Sequence, residues 1–195
     1  TNSGNASMGY DIPAAIGASL ATGRKKIYCI AGDGSILMNI QELQTIAGYE
    51  LPIKIVILNN DGYVSIKQTQ EAYFPDNIFG TGPSNGVTFP RFEALGEAFG
   101  IESMSVASID EWRSEKVQNA LSSTKACLIN VKVDPSQPFS PKLASRKLPN
   151  GTMVSPSLED MAPFLSRDEL TENMISEKDN SCLLYTSDAA DDTPC

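Results

Sequence analysis

Two short and almost wholly apolar segments, KIYCIAG (26–32) and PIKIVILNN (52–60), limit most strongly what this chain can fold into. The second is rich in β-branched residues, which favour strands. Both lack the polar alternation of a strand with one solvent-exposed face, which is typical of a parallel sheet covered on both sides. Helix-like patterns follow each of them. Strands that alternate with helices predict an α/β fold, here a three-layer α/β/α domain with a mainly parallel sheet and right-handed crossovers.

The remaining pattern continues this alternation along the chain. Gly100 is expected to end a helix as its C-cap, and Asp110 to begin the next one as its N-cap. The segment 75–90 is rich in Gly, Pro and Asn, which predicts a loop. Apolar periodicity predicts helices over 9–22, 35–50, 65–74, 91–100 and 110–123, with further strands over 102–108 and 126–134.

Composition and charge argue against several classes of function. The chain has 195 residues, of which 41% are hydrophobic, which suits one globular domain with an additional tail. Its net charge of -9 and its lack of a basic cluster argue against nucleic-acid binding, and no apolar run approaches the ~18 residues of a membrane span. The chain contains no histidine, so no imidazole base or ligand is available. Cys29 and Cys127 fall within predicted strands, which indicates buried, reduced thiols and a cytoplasmic protein.

We expect the chain to have three parts. Residues 1–135 form the α/β domain, 136–181 a proline-rich irregular arm, and 182–195 a tail, CLLYTSDAADDTPC, that a transposase sequencing adapter can encode. The tail is therefore set aside as not native, and without its three aspartates the net charge is -6. The opening TNSGNASMG has no initiating methionine, which predicts a piece of a longer protein.

Polar residues follow both apolar strands at the point where each strand ends. GDGS (32–35) follows the first and NNDGY (59–63) the second, about one strand–helix–strand circuit later, so both reach the same edge of a parallel sheet. Carboxylate, amide and carbonyl oxygens suit Mg²⁺, which shares its ligand shell with substrate phosphates. Gly32 and Gly34 let the backbone approach a phosphate closely, beside the free amides of a helix N-terminus.

GDGS alone is as consistent with a solvated turn as with a ligand site. Its pairing with NN favours a metal-bridged diphosphate. The GDGS segment lacks the GxGxxG spacing of a dinucleotide-binding motif and the lysine of a P-loop. It also lacks the alternating acidic residues of a calcium-binding EF-hand. The stretch GDGSILMNIQELQTIAGYELPIKIVILNN resembles the thiamine-diphosphate motif, and its residues are most similar to those of the acetolactate synthase large-subunit family. The resemblance runs from SGNASMGYDIPAAIGA to LINVKVD and corresponds to the C-terminal, diphosphate-binding domain of those enzymes.

The resemblance implies thiamine diphosphate and Mg²⁺ as cofactors. By it, Asp33, Asn60 and the carbonyl of Gly62 would hold Mg²⁺. Gly34 and Ser35 would donate to the diphosphate, chiefly through their main-chain amides. The metal and the anion would therefore share one edge of the sheet.

Four further residues lie near the proposed site, and three of them have more than one interpretation. Met8 matches the apolar residue that props the cofactor in its bent form, but a flexible core filler is an equal alternative. The carbonyl of Ala6 would accept a hydrogen bond from the aminopyrimidine of the cofactor. Tyr63 either lines the diphosphate or opens the next helix, and Asn59 is expected to be structural rather than a ligand.

The family's catalytic glutamate and any FAD site belong to domains that this segment does not contain, so we predict no catalytic residue within it. The expected whole protein is a decarboxylase or carboligase that takes a small 2-oxo acid and forms a homodimer or homotetramer. One alternative is a separate diphosphate-domain subunit of a two-chain decarboxylase or oxidoreductase. Another is a non-catalytic homologue that acts as a binding module.

Overall fold

The computed structural model describes residues 7–137, 139–143, 145–147, 150–155 and 157–174. They fall into two compact units that divide after Gln137. Two predictions, the carbonyl of Ala6 and the tail 182–195, lie outside the described residues. None of the helices in the described part of the chain combines the length and apolar character that a membrane crossing needs.

A four-stranded sheet forms the centre of the first unit, and every neighbouring pair of its strands is parallel. The strand order is β1-β2-β4-β3. The predicted α/β class with a parallel sheet is therefore confirmed. The strands are β1 (Ile27–Gly32), β2 (Ile53–Asn59), β3 (Glu102–Val106) and β4 (Cys127–Lys132).

Helices connect the strands and flank the sheet. The first unit contains α1 (Asp11–Ala21), α2 (Asp33–Ile36), α3 (Leu43–Gly48), α4 (Val64–Tyr73), α5 (Phe92–Ala98), α6 (Ile109–Trp112) and α7 (Glu115–Ser122). Two 3-10 helices, Leu37–Glu42 and Pro83–Asn85, complete the connections. Most of the predicted elements are present, and two predicted helices differ in detail.

The helix predicted over 35–50 is interrupted. Asn39 leaves helical geometry, with φ -136° and ψ 36°, inside the 3-10 segment that separates α2 from α3. Its side-chain amide donates to the carbonyl oxygen of Gly9 at 2.7 Å. Since an asparagine that binds backbone elsewhere competes with helical bonding, we attribute the break to this contact.

The helix predicted over 110–123 is also divided, into α6 and α7, and its predicted N-cap is wrong. Ser108, not Asp110, caps α6, because the Ser108 hydroxyl accepts the N–H of Glu111 at 3.2 Å. The predicted role of Gly100 is confirmed: it follows α5 with φ +74°, a left-handed conformation that favours glycine at a helix end.

The core lies mainly on one face of the sheet. There, residues of α1, α2, α3 and α5 pack against β1 and β2. On the opposite face α6 and α7 cover β3 and β4. Beside them runs an apolar groove of about 750 Å³, where Ile30 of β1 is 67% exposed. The second helical layer thus covers only part of the sheet.

The second unit, predicted as an irregular arm, contains some regular structure. Strands β5 (Arg146–Lys147) and β6 (Met153–Val154) pair antiparallel. Helix α8 (Arg167–Asn173) begins at Ser166, whose hydroxyl accepts the N–H of Glu169. Arg167 forms two hydrogen bonds with the carboxylate of Asp160.

Candidate cofactor and metal site

Asp33 lies at the carboxyl end of β1 and is the first residue of α2. It is 2% exposed. Its Oδ1 accepts the N–H of Gly34 at 2.7 Å, and its Oδ2 accepts the N–H of Gly62 at 3.2 Å. The second bond spans 29 residues, so the GDG turn and the NNDG turn meet at one edge of the sheet.

The surroundings of Asp33 raise its pKa above the ordinary value for an aspartate. Burial is the largest cause, and the backbone amides of Gly34, Gly62, Asp61 and Asn60 oppose it by donating to the charged form. A buried carboxylate that only neutral amides offset is one that a nearby cation would stabilise strongly.

Asn60 follows β2 directly and carries a buried polar atom without a partner. Among the described residues, Asn60 Oδ1 is the one buried side-chain polar atom that makes no hydrogen bond. A buried acceptor left unpaired costs about 1–3 kcal/mol, so such an atom in a folded protein calls for an explanation. An amide oxygen on the turn that contacts Asp33 fits the donor set that Mg²⁺ prefers.

The described acidic and thiol side chains form no cluster typical of a metal site. Within the described ranges no three His, Cys, Asp or Glu side chains come together in a way that could hold a metal ion. A site built from one carboxylate, one amide oxygen and one backbone carbonyl has a different composition. Only the Asp33 edge of the sheet combines such groups with an unpartnered oxygen among the residues that the structure describes.

The neighbouring Asn59 is in the opposite situation. Its Nδ2 donates to Asn130 Oδ1 at 3.0 Å, and its Oδ1 accepts the N–H of Asp61 at 3.0 Å. Both ends of its side-chain amide are therefore engaged within the protein. This geometry supports the expectation that Asn59 is structural while Asn60 is available as a ligand.

Ser35 is held in place by residues on the preceding helix segment. Its hydroxyl donates to Asp11 Oδ2 at 2.6 Å and accepts the N–H of Gly9 at 3.0 Å. Since the hydroxyl is used within the chain, a bond from Ser35 to a ligand would have to come from its main-chain amide. Asp11 was not foreseen from the sequence, although an acidic residue at a helix N-terminus is a recognisable signal.

The two glycines of GDG differ in their surroundings. A Cβ on Gly34 would lie 2.1 Å from the Tyr63 ring, so this aromatic side chain packs directly against the glycine. A Cβ on Gly32 would meet nothing within 4 Å, which leaves space beside its backbone. Tyr63 is the N-cap residue of α4, and its ring packs edge-on against Phe89 with centroids 5.7 Å apart. The prediction that Tyr63 opens a helix is thus confirmed.

Gly62 is packed against the loop that follows α4. A Cβ on Gly62 would lie 2.5 Å from the carbonyl oxygen of Thr81, which also accepts the N–H of Tyr63 at 2.8 Å. Thr81 is buried and was not foreseen, because nothing in the Gly- and Pro-rich segment 75–90 marks it out. It supports the turn that would carry the metal.

Met8 is 42% exposed, so the alternative that it fills the core is wrong for this chain. The next residue, Gly9, is buried with φ +81°, and a Cβ there would lie 2.6 Å from the Met38 Cβ. Gly9 also bonds to Ser35 and Asn39. Met8 is therefore carried on a segment that is anchored beside the GDGS turn.

Proteins similar to this chain identify its family. Residues 1–131 match the sequence profile of the family described as thiamine pyrophosphate enzyme, C-terminal TPP binding domain. The chain belongs to this family. It is 36% identical over 168 residues to the acetolactate synthase large subunit of Parasynechococcus marenigrum (strain WH8102), covering 86% of this chain and 27% of that protein. It is 35% identical to the acetolactate synthase isozyme 2 large subunit of Escherichia coli (strain K12), covering 69% and 24%.

A solved structure is similar as well, that of the Rhodococcus jostii RHA1 thiamine diphosphate-dependent 4-hydroxybenzoylformate decarboxylase. The TM-score is 0.57 at 28% identity, covering 65% of this chain and 23% of that one. The chain is therefore a domain of the thiamine diphosphate-dependent enzymes, related to acetolactate synthase. It spans about a quarter of the length of the curated relatives it matches. A match over 168 of 195 residues necessarily includes residues 28–168, so the similarity reaches into the second unit.

Proposed function

We propose that this domain binds the diphosphate of thiamine diphosphate through a Mg²⁺ ion held by Asp33, Asn60 and the carbonyl of Gly62. The observation that carries the proposal is the buried Asn60 Oδ1 without a hydrogen-bond partner. Binding a cation would satisfy this oxygen and stabilise the buried charge of Asp33 at the same time. Mg²⁺ takes few protein ligands and leaves positions for phosphate oxygens, which suits a site of three groups.

The remaining contacts to the cofactor follow from the same edge of the sheet. The amides of Gly34 and Ser35 lie in the first turn of α2, where N–H groups favour an anion. The N–H of Gly34 also donates to Asp33 Oδ1, so its bond to the diphosphate would be shared with that carboxylate. The open space beside Gly32 admits a phosphate near the backbone. Met8, exposed on its anchored segment, is available to support the cofactor ring, and Tyr63 borders Gly34. The carbonyl of Ala6 is assigned its hydrogen bond by the family resemblance alone.

The activity that we propose belongs to a protein of the relatives' length, in which this domain is one part. Similarity to acetolactate synthases and to a decarboxylase supports a thiamine diphosphate-dependent 2-oxo acid decarboxylase or carboligase. When bound, the cofactor supplies the nucleophilic carbon and the electron sink that such reactions need. The chain's own residues hold the metal and orient the diphosphate. Homodimeric or homotetrameric assembly, cytoplasmic location and FAD in another domain complete the proposal, and CO₂ release from 2-oxo acids tests the activity.

Calorimetric titration of the full chain with thiamine diphosphate in the presence of Mg²⁺ tests the binding site. We expect Asp33→Ala to abolish binding that depends on Mg²⁺, and Asn60→Ala to weaken it by at least about tenfold, on the order of 1.4 kcal/mol. The matched control is Asp61→Asn, which removes an exposed carboxylate from the same turn and keeps a residue that tolerates φ +58°.

Asn60→Ala should leave the metal-free chain as stable as the wild type or slightly more stable, since no hydrogen bond of its Oδ1 is lost. Unchanged affinity in both Asp33→Ala and Asn60→Ala would contradict the metal assignment. Equal weakening in the Asp61→Asn control would indicate a general effect of charge near the turn instead.

A further inference from the structure

A series of side-chain hydrogen bonds joins the turn that carries Asn60 to helix α5. Asn59 Nδ2 donates to Asn130 Oδ1 at 3.0 Å, and Asn130 Nδ2 donates to Glu93 Oε1 at 2.9 Å. At the other end Asn59 Oδ1 accepts the N–H of Asp61 at 3.0 Å. We call Glu93, Asn130 and Asn59 the amide relay. It connects strand β4 and helix α5 to the turn after β2, and both of its asparagines are buried.

The two ends of the amide relay determine the direction of every bond in it. An ionised Glu93 only accepts, so Asn130 has to present its NH₂ to it. The Oδ1 of Asn130 then faces Asn59, which in turn has to present its own NH₂. This leaves Asn59 Oδ1 to accept from the backbone N–H of Asp61. Neither amide can be reversed without placing two acceptors or two donors against each other.

The last bond of the relay holds a backbone conformation that non-glycine residues rarely adopt. Asp61 has φ +58°, in the left-handed region, and such residues persist where their surroundings hold them. Asn60 lies between Asn59 and Asp61, so the bond that spans it restricts where its side chain points. The same turn continues into Gly62, whose N–H reaches Asp33.

We infer that the amide relay is a positioning device that aims Asn60 Oδ1 and the turn as far as Gly62 at the metal. This inference rests on the proposed function, because the positioned atoms are its ligands. None of the three hydrogen bonds of the amide relay involves Asp33, Asn60 or Gly62, the proposed ligands. Its members therefore act through the turn, and their effect should appear in metal affinity.

Exchanging the donor and acceptor between positions 93 and 130 tests the relay. Asn130→Asp places two carboxylates against each other, and we expect the Kd for Mn²⁺, measured by electron paramagnetic resonance with saturating thiamine diphosphate, to rise at least about tenfold. Glu93→Gln alone keeps an accepting oxygen and should stay within about twofold of the wild type. The double variant restores a donor–acceptor pair and has the wild-type net charge, so its Kd should return to within about threefold.

Hydrogen exchange of the Asp61 amide in the metal-free chain provides a second readout. Protection of this N–H should fall in Asn130→Asp and recover in the double variant, because Asn59 Oδ1 is its acceptor. Ser105→Ala is the control, since it removes a hydroxyl that contacts Asn130 and Glu93 but leaves all three hydrogen bonds of the amide relay in place. If Asn130→Asp does not fold, Asn59→Ala breaks the relay at the turn and should raise both the exchange rate and the Kd.

Each outcome decides the inference. A wild-type Kd in Asn130→Asp or Asn59→Ala would overturn it, as would a double variant no better than Asn130→Asp, because independent effects would simply add. If the wild-type chain binds no Mn²⁺ with thiamine diphosphate, the proposed function fails and the positioning role fails with it. The exchange data then show separately whether the relay holds Asp61, so the two failures are distinguishable.

Discussion

The two ends of strand β2 carry buried polar side chains in opposite conditions. At its start, the Lys54 ammonium donates to the carbonyl oxygen of Ala120 at 2.7 Å, to the Ser123 hydroxyl at 2.9 Å and to the carbonyl oxygen of Lys125. Just past its end, Asn60 Oδ1 is buried with no partner. The amino end of the strand is thus satisfied within the protein, whereas the carboxyl end retains unused capacity to bind.

The difference shows which buried polar groups belong to the fold and which to a ligand. Lys54 offers three protons and finds three acceptors, two of them backbone carbonyls near the end of α7. Lys26 adds two more bonds there, to the carbonyl oxygens of Leu121 and Ser122. These lysines attach a helix end to the sheet, since cations favour that terminus of a helix. Asn60 contributes nothing comparable to the metal-free fold.

Replacing Lys54 should produce the largest loss of stability. Lys54→Ala leaves buried carbonyl groups short of donors and removes a fully buried aliphatic stem, so the free energy of unfolding should fall by about 2–4 kcal/mol. Urea denaturation measures the change. The matched control is Lys67→Ala, which removes an exposed lysine paired with Glu71 at 3.8 Å and should change stability by less than about 0.5 kcal/mol.

Metal and cofactor affinity of Lys54→Ala should remain close to the wild type wherever the variant is folded, because Lys54 lies at the opposite end of β2 from Asn60. A variant that keeps its stability but loses cofactor binding would reverse the comparison between the two ends of the strand.

Two glycines at the carboxyl edge provide a sharper version of the comparison. Gly62→Ala places a Cβ 2.5 Å from the Thr81 carbonyl oxygen, backbone that cannot rotate away, so unfolding should become easier by about 1–3 kcal/mol. Gly32 has φ -80° and ψ 157° with nothing within 4 Å of its Cβ position, so Gly32→Ala should be neutral or slightly stabilising.

Gly32→Ala should nevertheless weaken thiamine diphosphate binding, because the added methyl occupies the space proposed for a phosphate. Thermal unfolding and calorimetry on both variants separate the two effects. A stability loss in Gly32→Ala equal to that in Gly62→Ala would show that the space beside Gly32 is needed by the protein itself.

Sequence patterns predicted most of the first unit, because its main strands and helices are recognisable from their own residues. The apolar runs of β1 and β2 and the glycine after α5 required no knowledge of the rest of the chain. The break at Asn39 was not predictable in this way, since its cause is the carbonyl of Gly9, 30 residues earlier. Short-range patterns carry no information about such contacts.

The candidate site shows the same limit. GDG and NN identified the edge of the sheet, and the family resemblance assigned the ligands. The distinction between the two asparagines depends on Asn130 and Glu93, which are 71 and 34 residues away from Asn59. Asp11 and Thr81 were missed for a related reason, because their roles arise only when distant turns pack together.

Alkaline pH should reveal the smallest effect, the residual cost of burying Lys54. Burial lowers the pKa of Lys54 below the usual 10.5, so the charged form is less favourable in the folded chain than in the unfolded one. Between that lowered pKa and 10.5 the unfolded chain binds more protons, and linkage then requires stability to rise with pH. The free energy of unfolding of the wild type minus that of Lys54→Met should therefore increase across this window, by at most about 1.4 kcal/mol per pH unit. Subtracting the variant removes the other titrating groups from the comparison. A difference that falls as the pH rises would mean that the three hydrogen bonds of Lys54 outweigh its burial, and that the amino end of β2 is held chiefly by charge.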